Sequence, residues 1–322
     1  MTSLPSEAAA PLVRRLSAGS LAPFDLLPPL ERGHDRRADA DWIAARLADP
    51  ATRFLPLWKL DSLVSGDPPR PAGLAADEAA PLLPVAESLV LLGLEGAAGG
   101  RAVFGLSLPR DWDPAGLAAR GEWANLRAVA DRLEPADWAV LAHARAMAYW
   151  HQRCRFCSDC GSPTTSALAG YARRCSNPAC GQEHYPRTDP AIIVLVYSGQ
   201  RCLLGRQASW PAGRYSTLAG FMEPGESVEQ AVAREVEEEA GVRLREARYY
   251  GSQSFPFPAS LMLGFHAEAA SEEIRLNDGE LQDARWFTRQ ELSEAIAAGT
   301  VGLPPRFAIS HRLITAWREA EE

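Results

Sequence analysis

Apolar positions along the 322-residue chain fall into runs and stripes that predict its elements. Ser88-Leu89-Val90-Leu91-Leu92-Gly93 and Ala102-Val103-Phe104-Gly105-Leu106 are short apolar runs parted by a glycine-rich turn, which predicts a hairpin of buried strands. From Glu134 to Tyr149, Ala and Leu recur at helical spacing with Asp137 near the start, which predicts a helix. Beyond Asp189 the pattern turns to strands at 191–197, 202–204 and 215–221, then a charged helix carrying a stripe of Val228, Val232 and Val236. Strands at 248–255, 260–268 and 283–287 follow, and a helix from Ile309 to Glu319 closes the series. The expected fold class is α/β (α+β), a mixed sheet with flanking helices. Three regions are expected: an N-terminal α+β domain over 1–135, a cysteine-rich segment over 150–187, and a mixed domain over 188–322. No internal repeat is evident.

Composition narrows the class. Hydrophobic residues at 47% and charged residues at 23% exclude a disordered chain. Lys and Arg number 33 against 41 Asp and Glu, so the net charge of -8 excludes a surface that grips nucleic acid all over. A local basic patch remains open. Met1 to Leu16 lacks the apolar core of a signal peptide, and Pro81 to Leu94 is too short for a bilayer and interrupted by Glu87. A cytoplasmic protein with no membrane segment is expected.

Five of the six cysteines crowd between 154 and 180. Cys157-Ser158-Asp159-Cys160-Gly161 and Cys175-Ser176-Asn177-Pro178-Ala179-Cys180-Gly181 form two knuckles, each followed by a glycine that lets backbone amides turn toward sulfur. Four thiolates fill the tetrahedral shell of one structural Zn²⁺ and leave no open position. Buried free thiols or two disulfides are the alternative. Cys154 also has knuckle spacing but lacks the glycine, so it is read as a spare, and Cys202 as core.

The charged helix breaks a local rule. Ser227 and Gln230 make a capping box, and Gly241 is placed to end the helix. Glu235, Glu238 and Glu239 stand at i, i+3 and i+4 near the C-terminus, where like charges and the macrodipole both oppose them. Hard oxygen ligands in this number suit Mg²⁺ or Mn²⁺, ions that bring phosphate substrates with them. A merely solvated acidic face is the alternative, and Glu237 is read that way.

From Gly220 through Glu226 to Arg234-Glu235-Val236-Glu237-Glu238-Glu239-Ala240-Gly241-Val242, the segment resembles a complete Nudix box. With the cysteine knuckles ahead of it, the chain resembles the NADH pyrophosphatase family, whose further signature is Ser-Gln-Pro-Trp-Pro-Phe-Pro-x-Ser. Here that stretch reads Ser252-Gln253-Ser254-Phe255-Pro256-Phe257-Pro258-Ala259-Ser260, with Ser254 and Phe255 replacing Pro and Trp. The resemblance implies a Nudix-type sheet preceded by a zinc ribbon. It implies that Glu235, Glu238, Glu239 and Glu280 act in catalysis. The Ala219 carbonyl would join Glu235, Glu239 and Glu280 on the metal, and Arg234 and Glu226 would brace the loop. Tyr185 and Phe221 would flank the nicotinamide. Gln253, Phe255, Phe257, Ser260 and Ser310 would complete substrate binding, with Ser310 falling where the family usually has Ala. Arg127 aligns weakly with a substrate-binding arginine. The implied activity is hydrolysis of NAD(H) to nicotinamide mononucleotide and AMP by a homodimer, with removal of NAD caps from RNA. ADP-ribose or another dinucleotide is the alternative, allowed by Ser254 and Phe255. Arg153, Arg155, Arg173, Arg174 and Arg187 around the knuckles are either solvated or guides for RNA phosphates.

Overall fold

The computed structural model describes residues 29–96, 100–277 and 279–320. Two compact units divide them. One holds the chain up to Thr188 together with Phe255–Ala259, the other 189–254 and the chain from 260 onward.

In the first unit, β1 (Arg53–Trp58), β2 (Asp61–Ser65), β3 (Arg70–Pro71), β4 (Ser88–Glu95), β5 (Arg101–Leu108) and β6 (Glu122–Ala124) form one sheet. The expected hairpin is β4 and β5, paired antiparallel from Ser88↔Ser107 to Glu95↔Arg101. β1 runs parallel to β5, from Arg53↔Val103 to Trp58↔Leu108. The sheet buries both faces. Phe54, Leu91, Phe104 and Leu106 gather with side chains of α1 (Ala40–Ala48) and α2 (Ala76–Ala79). Leu55, Leu57, Val90, Leu92 and Val103 gather with α3 (Leu126–Val129) and the long α4 (Pro135–Arg153). The expected helix at 134–149 thus exists and runs to Arg153. Cys-rich turns and the short strands β7 (Thr164–Ala167), β8 (Ala172–Cys175) and β9 (Glu183–His184) follow as a three-stranded sheet.

The second unit is built from β10 (Asp189–Ser198), β11 (Arg201–Gln207), β12 (Leu218–Phe221), β13 (Leu244–Phe255), β14 (Ser260–Ala269) and β15 (Leu281–Thr288). One residue of β13, Phe255, clusters with the first unit. β10 alternates between two cores. Its Ile192, Val194 and Val196 pack with Val232 and Val236 of α5 (Val228–Ala240). Its Ile193, Leu195 and Tyr197 pack with Leu292 of α6 (Arg289–Ala297) and with Leu313, Ile314 and Trp317 of α7 (Ile309–Glu319). Covered on both sides, the strand shows one apolar run rather than an alternating one. The mixed sheet with helices on both faces is the expected α/β (α+β) class.

Three features depart from the sequence reading. Strands β1, β2, β3 and β6 to β9 and helices α1, α2, α3 and α6 were not anticipated; Pro56 stands inside β1 and interrupts its apolar run. Of the expected strand 215–221 only Leu218–Phe221 forms a strand, paired with β10, while Ser216 meets Gly205 of β11 in an isolated bridge. A repeat is present after all, in topology. The first sheet contains the path β6-β2-β1-β5-β4 and the second the path β15-β11-β10-β14-β13, each with its first strand parallel to its fifth. Interchangeable aliphatic residues satisfy both sheets, so the shared path leaves no trace in residue identity.

Candidate active site and metal centre

Helix α5 is fastened at both ends. Ser227 Oγ accepts from the Gln230 amide at 3.3 Å, Gln230 Oε1 accepts from the Ser227 amide at 2.8 Å, and Gly241 ends the helix at φ 69°. Val232, Val236 and Ala240 turn into the core, which decides where the glutamates point. Glu239 is buried, Glu235 is half-buried, and Glu237 and Glu238 are exposed.

Arg234 organises the cluster. Its Nε and Nη2 donate to the two Glu226 oxygens at 3.0 and 2.6 Å, a bidentate pair. Nη1 donates to Glu235 Oε1 at 3.0 Å and to Glu238 Oε2 at 2.9 Å, while Nη2 also donates to the Phe221 carbonyl at 2.9 Å. The guanidinium holds the Glu226 carboxyl below its usual range. Glu235 is shifted the other way: burial raises it more than Arg234 lowers it, and the charges of Glu238 and Glu280 add to the rise. Beneath it lies Gly220, where a Cβ would stand 1.9 Å from the Glu235 carboxyl carbon. Any Cβ there would push the Glu235 carboxylate out of this position. A half-buried carboxylate, crowded by two others, is the donor chemistry that a hard cation relieves. The residues fit a divalent metal. Their oxygens are nevertheless spread: among the described residues, no three Asp, Glu or His ligand atoms fall within 4.8 Å of one another.

The sulfurs behave differently. Cys157, Cys160, Cys175 and Cys180 bring all four Sγ atoms within 4.8 Å, and among the described residues theirs is the one such group. Sγ–Sγ separations are 3.8 Å for Cys157–Cys180 and 3.4 Å for Cys160–Cys175. Tetrahedral sulfur around zinc at about 2.3 Å gives roughly 3.8 Å, so the cage is the right size. Gly161 and Gly181 sit at φ 73° and 61°, as the knuckles require. Cys154 stands outside the quartet.

The remaining candidates fall as follows. Tyr185 and Phe221 each keep 59% exposure, unusual for rings of that size. The Tyr185 hydroxyl donates to Glu183 at 2.6 Å. Ala219 pairs with Ile193 in the sheet. Gln253 is occupied within its own unit: Nε2 donates to the Phe307 carbonyl at 2.6 Å and Oε1 accepts from the Ile309 amide at 2.9 Å. It supplies the cap that Ala308 cannot, at the N-terminus of α7, where Ser310 is buried in the first turn. Ser260 is buried at the start of β14, opposite Asp189. Phe255 and Phe257 meet edge to face at 5.0 Å. The Arg127 guanidinium lies 5.4 Å from the Phe255 ring and 5.8 Å from that of Phe257, so the weakly aligned arginine does meet the signature segment. Arg145 was not anticipated; it lies 4.8 Å from the Phe257 ring and donates to the Pro256 carbonyl. Nothing in the sequence distinguishes it from any other helical arginine.

Two of the ribbon arginines are not free surface cations. Arg173 donates to Thr164 Oγ1 and carbonyl, both at 2.7 Å, and to His151 Nδ1 at 2.9 Å. Since arginine only donates, Nδ1 is the bare nitrogen, and Nε2 carries the proton given to the Gly170 carbonyl at 2.8 Å. Arg174 pairs with Glu183.

A mixed sheet with an acidic, arginine-braced helix, and a four-cysteine ribbon elsewhere in the same chain, define the class. Family models match it in three places: NUDIX domain at 187–317, NADH pyrophosphatase zinc ribbon domain at 152–185, and NADH pyrophosphatase-like rudimentary NUDIX domain at 51–150. The chain belongs to the Nudix hydrolases, in the NADH pyrophosphatase family that carries this ribbon. It is 43% identical over 210 residues to the NAD-capped RNA hydrolase NudC of Mycobacterium tuberculosis, covering 62% of this chain and 66% of that one. It is 42% identical over 197 residues to the NAD-capped RNA hydrolase NUDT12 of Homo sapiens, covering 58% and 43%. The matches thus span just under two thirds, or less, of these relatives' lengths. A solved NUDIX hydrolase from Nitrosomonas europaea aligns with TM-score 0.42 and 27% identity over 51% of this chain and 90% of that one. Among the described residues, no helix is long and apolar enough to cross a membrane.

Proposed function

We propose that this chain hydrolyses the pyrophosphate of NAD(H) to nicotinamide mononucleotide and AMP, and removes NAD caps from RNA 5′ ends. The carrying observation is the half-buried Glu235 carboxylate, seated on Gly220, tied to Arg234 and crowded by Glu238 and Glu280. The ribbon, the signature segment and the names of the two relatives support NAD as the substrate. Glu235, Glu239, Glu280 and the Ala219 carbonyl would hold Mg²⁺ or Mn²⁺, which when bound polarises phosphoryl oxygens and lowers the pKa of a coordinated water. Arg234 keeps Glu235 and Glu238 oriented through Glu226 and the Phe221 carbonyl. Tyr185 and Phe221 would flank the nicotinamide, Phe255 would offer an aromatic face to a ring, and Gln253, Phe257, Ser260 and Ser310 would complete substrate binding. Zn²⁺ in Cys157, Cys160, Cys175 and Cys180 holds the ribbon. We assign an N-terminal domain to 1–135, the ribbon to 150–187 and the hydrolase to 188–322, in a cytoplasmic homodimer. Turnover of NADH, ADP-ribose, diadenosine polyphosphate and NAD-capped RNA, measured side by side, tests the reading. NADH or capped RNA should lead; a clear preference for ADP-ribose would replace the substrate, and no metal-dependent turnover of any would remove the activity.

A further inference from the structure

The first unit contains a cavity of about 740 Å³ that the proposed hydrolase site does not use. Ligand pockets commonly run from roughly 300 to 1,000 Å³. Its walls carry four cations, Lys59, Arg110, Arg155 and Arg173, and one acid, Glu87. Four minus one leaves a lining of +3 in a chain of net charge -8. His151 also lines it and adds no charge at neutral pH, since burial pulls it down to about 4. Lys59, Arg110 and Arg155 are exposed and make no ion pair with any described residue, and the hydrogen-bond partners of Arg173 are neutral. Phe156, in the same wall, keeps 62% exposure.

The backbone adds a separate observation. Trp58 pairs with Asp61, so Lys59 and Leu60 form a two-residue hairpin loop, and both sit at positive φ, 52° and 67°. That loop favours Asn and Gly; a lysine and a leucine there are held in a region costing on the order of 1 kcal/mol or more each. Both strained residues line the cavity. Leu60 packs against the core and the Lys59 ammonium lies 3.9 Å from the Trp58 ring, contacts that offset the strain while Lys59 stays exposed in the cavity wall.

We propose that this cavity binds a phosphate-bearing nucleotide, with Lys59, Arg110 and Arg155 on the phosphates and Phe156 against the base. Guanidinium forks match phosphate oxygens, and an exposed ring stacks on any base without reading sequence. The nucleotide is either a unit of an RNA strand or a free mononucleotide. The site stands apart from the reading of the acidic helix and does not depend on it.

The test is binding, not turnover. A labelled ten-nucleotide single-stranded RNA with a 5′-hydroxyl end has no cap to cleave, so fluorescence anisotropy reports binding alone. A Lys59→Ala/Arg110→Ala double variant should bind it about tenfold more weakly. With two phosphate contacts gone, the slope of log affinity against log salt should flatten by ~1.4. Phe156→Ala should lose affinity at unchanged slope. Calorimetric titration with AMP separates the two sources. AMP binding that the double variant weakens assigns a free nucleotide; RNA binding weakened with no AMP effect assigns a strand. Zinc content and NADH turnover should match the wild type in each variant, which excludes misfolding. Equal affinity of wild type and double variant for both RNA and AMP would overturn the site and leave the hydrolase reading untouched.

Discussion

The two sheets follow one strand order but bury different things in the connection after the third strand. Between β12 and β13 the chain builds α5, thirteen residues with Arg234 and five glutamates. Between β3 and β4 it builds the four-residue α2, with Asp77 and Glu78 in its first turn, and one 3-10 turn at Leu83–Val85. Each sheet closes its core without help from the acidic residues: Val232 and Val236 do that work in one, Phe54, Leu74 and Ala79 in the other. Topology carries the architecture, and one helix carries the chemistry proposed above. The metals divide the same way. Sulfur forms a closed cage of the right size in the first unit, where an ion would hold the fold. Oxygen stays open around Arg234 in the second, where an ion would meet substrate.

The contrast can be broken in four places. The largest effect belongs to the cage. Replacing Cys175 with Ser, or stripping the zinc, should remove on the order of 10 kcal/mol of folding free energy from the ribbon. Metal content and exchange protection over β7–β9 report it, and Cys154→Ser should keep its zinc. Less than half the wild-type zinc in that variant would overturn the ligand set. Next comes the acidic helix. Glu239→Gln should cut NADH hydrolysis by about a thousandfold, near 4 kcal/mol, while Glu78→Gln in the corresponding connection should change nothing. Near-normal turnover of Glu239→Gln at saturating Mg²⁺ would refute the division of labour.

Acid should expose a similarity instead. Burial lowers His266 to about 4, where its ring donates to the Leu313 carbonyl at 3.0 Å, and it lowers His151 to about 4 and His143 to about 3. A histidine kept neutral by the fold binds a proton more readily when unfolded, so stability is full above about 6.5 and falls as pH drops toward 4. For His266 the loss is on the order of 3 kcal/mol. Urea unfolding between pH 7 and 4.5 should show it, and His266→Gln, which keeps a donor, should flatten the second unit's share. An unchanged profile would mean the ring is already solvated. The smallest effect concerns the signature segment. Phe255→Ala should weaken NADH use by about 1–3 kcal/mol, seen in KM more than kcat. An unaltered KM would leave Phe255 as packing against Phe257.

What the sequence exposed was whatever is encoded locally. The Ser227–Gln230 capping box, Gly241 and the valine stripe fix α5 within a few residues of one another, and the two glycine-ended knuckles separate Cys157 and Cys160 from Cys154. Features set by distant partners stayed hidden. Gln253 has no sequence mark tying it to the amide of Ile309. Arg173 resembles Arg155 on paper, yet Arg173 is bound to Thr164 and His151 while Arg155 is exposed. Pro56 concealed a central strand, and the shared strand path had no residue pattern to reveal it.

Gly220 sets a limit on how this enzyme can be remade. Any side chain there would have to occupy the space of the Glu235 carboxyl group. A library randomised across 219–226 and selected for turnover should therefore tolerate variety at exposed positions such as Glu223 and return a single letter at 220. The box, seen this way, holds a clearance as well as a list of preferred residues: the Glu235 carboxylate keeps its seat only while position 220 has no side chain.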